Sequence, residues 1–426
     1  MSNMKKGFCI PNSLVCGRLP LGFVPFFFFF TSLFAQMEWI CATDSAGWSG
    51  RSGHASVVFD DKIWIFGGLY YGYINDVWYS TDGVNWTQAI DSVSWSWRVS
   101  HTSVIFDNKI WVLGGNDRNR VRNDVWYSSD GVNWIQATHS AGWSARDGHS
   151  TVVFDNKIWV LGGWDSLISP KNDVWFSADG VNWTCATESA GWPRRGNHTS
   201  VVFDNKIWVL GGWDYSGKRN DVWYSVDGNN WTQATISAGW SARAVFTSVV
   251  FDNKIWVFGG LDEGGSRNND VWYSADGVNW TQATASAEWI NRVGHTSVVF
   301  DNKIWVLGGE YIEGSLNDVW YSRGLGIEET ITPNAKSLTI RVSPVLFTTN
   351  VKITYNLPKS ALVRLSIYDS SGKEVKALFN GKQVAGFHEL NWNGKDNASR
   401  KLPAGAYFLK LKANGSTTIK KIVKLE

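Results

Sequence analysis

The stretch that decides the fold is Gly148–Gly163, GHSTVVFDNKIWVLGG, with its continuation Asn172–Arg195, NDVWFSADGVNWTCATESAGWPRR. It reads as four short strands: HSTVVF, KIWVLGG, DVWFS and NWTCAT. β-Branched and aromatic residues dominate them, and Asp, Asn and Gly punctuate them. Asp155-Asn156, between the first two strands, tolerates the positive φ of a two-residue hairpin turn. Asp179-Gly180, between the last two, reads as a second tight hairpin. The strands are nearly continuous apolar runs, as in sheets buried on both faces.

The unit recurs about every 48 residues through residues 37–323. Glycine pairs fall at Gly67-Gly68, Gly114-Gly115, Gly162-Gly163, Gly211-Gly212, Gly259-Gly260 and Gly308-Gly309. Asp-Val-Trp triplets begin at Asp76, Asp124, Asp173, Asp221, Asp270 and Asp318. A four-stranded sheet repeated radially is a propeller blade. The expected fold class is therefore all-β, a six-bladed β-propeller over residues 37–323. The last repeat stops at Tyr321-Ser322 without a fourth strand, while Trp39–Thr43, WICAT, matches Trp183–Thr187, WTCAT. The N-terminal strand is thus expected to complete the sixth blade and close the ring, which a linear solenoid would not require.

Composition agrees with this reading. The 426 residues hold 28 Trp, 42 Gly and 9 Pro, and only 18% are charged, against roughly 25% in soluble domains. Disorder, coiled coil and an α-helical fold are disfavoured. The net charge of +2 hides an asymmetry: residues 37–336 carry 22 basic and 33 acidic groups, and residues 337–426 carry 15 and 5. An acidic body excludes nucleic acid as a partner over most of the chain. Lys5, Lys6 and Arg18 precede an apolar run from Leu19 to Ala35, which reads as a signal peptide over residues 1–36, cleaved after Ala35 or Gln36. No other segment is apolar enough to span a membrane once it is removed.

After a linker at 324–336, residues 337–426 show strand character at 338–342, 351–357, 362–368, 387–392, 406–412 and 416–424. Turns are expected at Ser371-Gly372, Asn380-Gly381 and Asn414-Gly415. This pattern fits a small Ig-like sandwich.

The repeats resemble the kelch family through the double Gly, the aromatic third strand, the fourth-strand Trp and the Arg-x-x-His that leads into the first strand. The resemblance implies a propeller whose usual work is binding. The Ser177–Trp183 hairpin is also similar to the Asp-box of sialidases, which is structural and carries no catalysis. The tail resembles the C-terminal sorting domain of type IX secretion cargo, related to Ig-like modules of hook-capping proteins. The likeness rests on Ser343-Pro344, Tyr355–Pro358, Ile367–Asp369, Gly372–Val375, Gly386–His388, Trp392–Gly394, Pro403–Phe408 and Lys420-Lys421. It implies a Gram-negative host, passage of the outer membrane through secretion machinery, and a secreted or surface location.

His54, His101, His149, His198 and His295 recur before the first strand, with Phe246 at the sixth place. A metal ring is conceivable, but the reading favours each His serving its own blade. Arg51, Arg98, Arg146, Arg195, Arg243 and Arg292 read as cross-blade hydrogen-bonding groups, and the Asp before each third strand as a partner for amides at the Gly pair. Cys41 and Cys185 fall on outer strands of opposite blades, too far apart to bridge. From there they cannot reach the axis, where a galactose-oxidase copper site would need a Tyr–Cys crosslink. No catalytic residues, metal site or cofactor are assigned.

What remains is the variable hairpin between second and third strands: Leu69–Ile74, Asn116–Arg122, Trp164–Lys171, Trp213–Arg219, Leu261–Asn268 and Glu310–Leu316. Strand alternation puts these hairpins on one face. Tyr70, Tyr71, Tyr73, Trp164, Trp213, Tyr215 and Tyr311 read as loop aromatics available for recognition. Arg118, Arg120 and Arg122 form a basic patch, opposed by Glu310 and Glu313. The expected function is an exported binding module for a protein or glycan. A carbohydrate-active enzyme, galactose-oxidase-like or sialidase-like, and a structural surface component are the alternatives.

Overall fold

The computed structural model describes residues 37–323, 339–343, 346–357, 359–413 and 416–425. The expected signal peptide and linker, Pro344, Pro358 and the expected Asn414-Gly415 turn lie outside the described residues. Two compact units divide between Leu325 and Gly326.

The first unit is built on four-stranded antiparallel sheets; the short strand Arg146–Asp147 adds to the sheet of the third repeat, and Arg243–Ala244 joins the sheets of the fourth and fifth. In the third repeat the order is Ser150–Phe154, Lys157–Asp165, Pro170–Ser177 and Thr184–Thr187. The inner strands Ala55–Phe59, Thr102–Phe106, Ser150–Phe154, Thr199–Phe203, Thr247–Phe251 and Thr296–Phe300 neighbour one another in that order, and the last neighbours the first. The second strands are the core: Ile158, Val160 and Leu161 are fully buried, as are their counterparts in other repeats. Asp155 and Asn156 both take positive φ, at 48° and 53°, which is the two-residue turn expected between first and second strands.

The N-terminal strand Trp39–Thr43 pairs antiparallel with Gly314–Ser322, placing Trp39 opposite Ser322 and Cys41 opposite Trp320. Buried Trp39 lies edge-on to Phe258 at 5.7 Å and to Trp289 at 5.9 Å. A second closure runs through the backbone. Gly53, Ser100, Gly148, Asn197, Val245 and Gly294 each donate their N–H to the carbonyl of the residue before them in this cycle, at 2.7–3.2 Å, and Gly53 donates to Gly294. All have left-handed φ between 53° and 61°. The result is a hoop of hydrogen bonds that ties every repeat to the next.

The Asp-Gly hairpins differ from expectation. Between Ser177 and Thr184 the chain makes a longer loop stitched by side chains. Gly180 N–H donates to Ser177 Oγ at 2.8 Å, and the amides of Val181 and Asn182 donate to Asp179 Oδ1 at 2.8 Å. These local acceptors outcompete the tight turn. The glycine is still required, because a Cβ on Gly180 would lie 2.1 Å from Trp111 of the preceding blade. The fourth strand consequently begins after the Trp, at Thr184.

The second unit is a sandwich. Thr339–Ser343, Val351–Leu357 and Gly386–Trp392 form one sheet. Leu346–Phe347, Ser416–Lys424, Gly405–Ala413, Ala361–Tyr368 and Glu374–Gln383 form the other. Val351, Ile353, Leu365, Leu409 and Trp392 fill the space between. Gly372 makes the expected turn, its N–H bonding Asp369 O at 3.0 Å. The turn expected at Asn380-Gly381 does not form. Both residues lie within Glu374–Gln383, where Arg364 pairs with Asn380 and Val363 with Gly381. Pairing along the neighbouring strand overrides the local turn preference there.

Candidate binding cleft

The residues that repeat six times turn out to be joinery. Arg146 is fully buried. Its guanidinium forks onto Asp173 at 2.7 and 2.8 Å and donates to Gly162 O at 2.8 Å. Trp143 covers it at 5.9 Å. Asp173 also accepts from Trp175 Nε1 at 2.8 Å. The Asp therefore binds Arg and Trp, not the amides of the Gly pair. The Arg side chain acts inside its own blade, and the link between blades is main-chain: Gly163 N–H donates to Arg195 O at 2.9 Å. Burial pushes the carboxyls of Asp124, Asp173 and Asp221 up, but hydrogen bonds from Arg98, Arg146 and Arg195 outweigh it and hold them below the ordinary value.

The histidines reach the other way from expectation. His149 Nε2 pairs with Thr102 Oγ1 at 3.0 Å and His198 Nε2 with Ser150 Oγ at 2.8 Å, each on the preceding inner strand. His295 pairs with Thr247 and His54 with Thr296 in the same way. Where Phe246 replaces the imidazole, Thr199 Oγ1 keeps the pairing with Ser248 Oγ, at 2.6 Å, that Thr102 and Ser150 make with Thr151 and Ser200 beside their imidazole. Burial drives His101, His149 and His295 down to about 3 and lowers His54 and His198 as well, so all five stay neutral. Among the described residues no group of three His, Cys, Asp or Glu is placed to hold a metal. Cys41 and Cys185 are free.

The variable hairpins do share a face with the connections that enter the inner strands. Val99 bridges Asn116, Gly196 bridges Trp213 and Val293 bridges Glu310. Their aromatics are less loop-like than the sequence suggests. Tyr73, Trp164, Trp213 and Tyr311 lie within strands Tyr73–Ser80, Lys157–Asp165, Lys206–Asp214 and Lys303–Tyr311, because the second and third strands extend past the Gly pair. Arg122 is also in a strand and is ion-paired with Asp117, which removes it from the basic patch. Glu310 likewise pairs with Arg267 at 2.9 Å, and Glu313 accepts from Tyr311 Oη at 3.1 Å.

Six of the ten expected site residues come together: Tyr73, Arg118, Arg120, Trp164, Trp213 and Tyr215 line one open cleft of about 940 Å³. Its walls come mainly from the hairpins of the second, third and fourth repeats. Trp164 stands edge-on to Trp213 at 5.8 Å and to Tyr215 at 5.9 Å. Tyr215 is 75% exposed and Trp213 44%. Tyr215 Oη donates to Ile168 O at 2.7 Å, tying the third and fourth hairpins together. Tyr70, Tyr71 and Tyr311 are outside the cleft; Tyr70 and Tyr71 pack on each other with tilted rings, 4.5 Å between centroids.

Three residues of the site escaped the sequence reading. Gly196 lets Trp164 lie across it, since a Cβ there would fall 2.1 Å from the indole. Asp147 lines the cleft, and burial raises its carboxyl despite the 3.0 Å hydrogen bond from Asn116 Nδ2. Asn116 completes that pair. Asp147 carried a signal: the residues after the repeated Arg are otherwise Ser52, Val99, Gly196, Ala244 and Val293.

A family model described as the KLHDC2/KLHL20/DRC7 Kelch-repeats domain matches residues 28–212, 100–241 and 197–324. A model of the FlgD Ig-like domain matches residues 339–417. No curated protein sequence matches the chain. A solved structure described as "Structure of YjhT" is 17% identical with a TM-score of 0.55, covering 65% of this chain and 96% of that one. At that identity the likeness shows a common fold alone.

Proposed function

The chain belongs to the Kelch-repeat domain family, and from that premise we propose that it is an exported binding protein whose ligand occupies the cleft between the second, third and fourth repeats. The observation that carries this is the break in symmetry. Around the ring the Arg–Asp forks and the closing hoop repeat, while variable hairpins gather aromatic faces and charged groups in one place. Such a set of rigid aromatic anchors beside fixed polar groups is the make-up of a recognition site. The apolar run after Arg18 supports export, and the tail, alongside its Ig-like character, supports sorting or anchoring by secretion machinery at the surface of a Gram-negative cell. The ligand class is a protein or glycan. A glycan and surface-protein array probed with the purified protein tests the reading, and the absence of any ligand sensitive to substitution in the cleft would sink it.

One residue favours a second reading. Asp147, with its carboxyl raised by burial in an open cleft, has the character of a general acid in a carbohydrate-active enzyme. Release of reducing sugar from an array-positive glycan, abolished in Asp147→Asn, would favour that reading over simple binding.

A further inference from the structure

Resting on the binding reading above, we infer that the cleft takes an acidic saccharide, a chain of pyranose rings bearing carboxylate or sulfate groups. The first ground is the state of the cations. Arg118 and Arg120 line the cleft, are exposed, and have no hydrogen-bond or ion-pair partner for their side chains among the described residues. Their neighbours are all engaged. Arg122 is held by Asp117, Lys171 by Asp165 at 2.6 Å, Arg219 by Asp214 at 2.5 Å, and Lys218 sits over the Trp213 ring at 5.5 Å. The hairpin acids are thereby spent on their own hairpins. Asp117 Oδ1 also accepts the amides of Asn119 and Arg120 at 2.8 Å, shaping the turn that presents both arginines.

Two forked guanidinium groups free of acids match planar carboxylate or tetrahedral sulfate oxygens. The second ground is the aromatic part of the lining. Trp164, Trp213 and Tyr215 present aromatic faces and edges rather than a closed pocket, which suits the flat C–H faces of sugar rings. Asp147 and Asn116 also line the cleft and supply polar atoms for ring hydroxyls. An acidic peptide is served less well. The strands that carry this lining are already paired, Trp164 with Pro170 and Trp213 with Lys218, so no free edge invites an added strand.

Titration calorimetry on the purified protein tests this with five probes: hexameric oligogalacturonate, its full methyl ester, a chondroitin sulfate hexasaccharide, cellohexaose and hexaglutamate. The expected result is binding of at least one acidic saccharide. For oligogalacturonate, methyl esterification should weaken binding at least tenfold. The double variant Arg118→Gln, Arg120→Gln should do the same for whichever acidic saccharide binds, and it should reduce the salt dependence. Neutral cellohexaose bound as tightly as the acids, or an undiminished double variant, would overturn the inference and leave the binding reading intact. Hexaglutamate binding in place of the saccharides would overturn it in favour of an acidic protein. Failure of both acidic saccharides to bind would overturn it outright. The binding reading itself fails separately, when an array ligand proves indifferent to Trp164→Ala with Trp213→Ala.

Discussion

Five buried neutral imidazoles make the propeller sensitive to mild acid. His54, His101, His149, His198 and His295 are each at most 6% exposed, and burial lowers all of them, three to about 3. In the unfolded chain they titrate near 6.5. A depressed folded-state value means that the unfolded chain binds more protons, so stability is full above about pH 6.5 and falls as pH drops towards 3. Each group withdraws about 1.4 kcal/mol per pH unit once below the unfolded value, so five together withdraw about 7 kcal/mol per unit. That is comparable to a whole domain's stability of roughly 5–15 kcal/mol. The fork carboxylates of Asp124, Asp173 and Asp221, held below the ordinary value, act in a separate window, below about pH 4. The perturbation is His149→Phe, which has a precedent at Phe246. Urea unfolding followed by Trp fluorescence, repeated from pH 7.5 to 5, should show a parent slope approaching five protons and a variant slope approaching four. A parent slope of two protons or fewer, or an unchanged slope in His149→Phe, would refute the reasoning.

Three other outcomes are expected. Trp39→Ala removes a buried side chain from the closing strand and should cost about 3–5 kcal/mol by chemical denaturation; a cost under about 1 kcal/mol would mean that the ring does not depend on that strand. Arg146→Met leaves Asp173, a partly buried carboxylate, without its fork and should cost about 3 kcal/mol, the low end for a buried pair, whereas adding Asp173→Asn should return part of it; equal stability of parent and single variant contradicts the joinery role. Truncation after Gly326 should leave the propeller soluble but confined to the periplasm of its host, and cell fractionation with unchanged surface or medium levels would reduce the tail to a spacer.

Repetition made most of the propeller legible and also set its limits. The Asp-Asn turns follow from residues that tolerate positive φ, and the orphan strand at Trp39 needs only a partner lacking its fourth strand. The same repetition hides which copy a side chain serves. His149 could satisfy its own blade or the preceding one by sequence alone, and only the spacing of inner strands selects Thr102. The Asp179-Gly180 hairpin departs from the tight turn its dipeptide favours because Ser177 and Asp179 side chains capture the turn amides. In the tail, Asn380-Gly381 stays extended because its partners Arg364 and Val363 belong to a strand on one side of it. For the cleft, the variability of the hairpins was visible, but its grouping depends on which repeats are neighbours. Hence Arg118, Trp164 and Trp213 converge while Tyr71 and Tyr311 do not. Asp147 stood out only as the one acid at its repeated position.

The measurement that bears most directly on the account is calorimetric affinity for an array-identified ligand in two matched double variants. Trp164→Ala with Trp213→Ala strips the cleft. Tyr71→Ala with Tyr311→Ala strips aromatics of the same hairpin set outside it, Tyr71 being 97% exposed. The account expects the first pair to lose about 1–2 kcal/mol or more of binding free energy, roughly tenfold in affinity, and the second to bind like the parent. The reverse pattern, or parent-like binding by both, would contradict it.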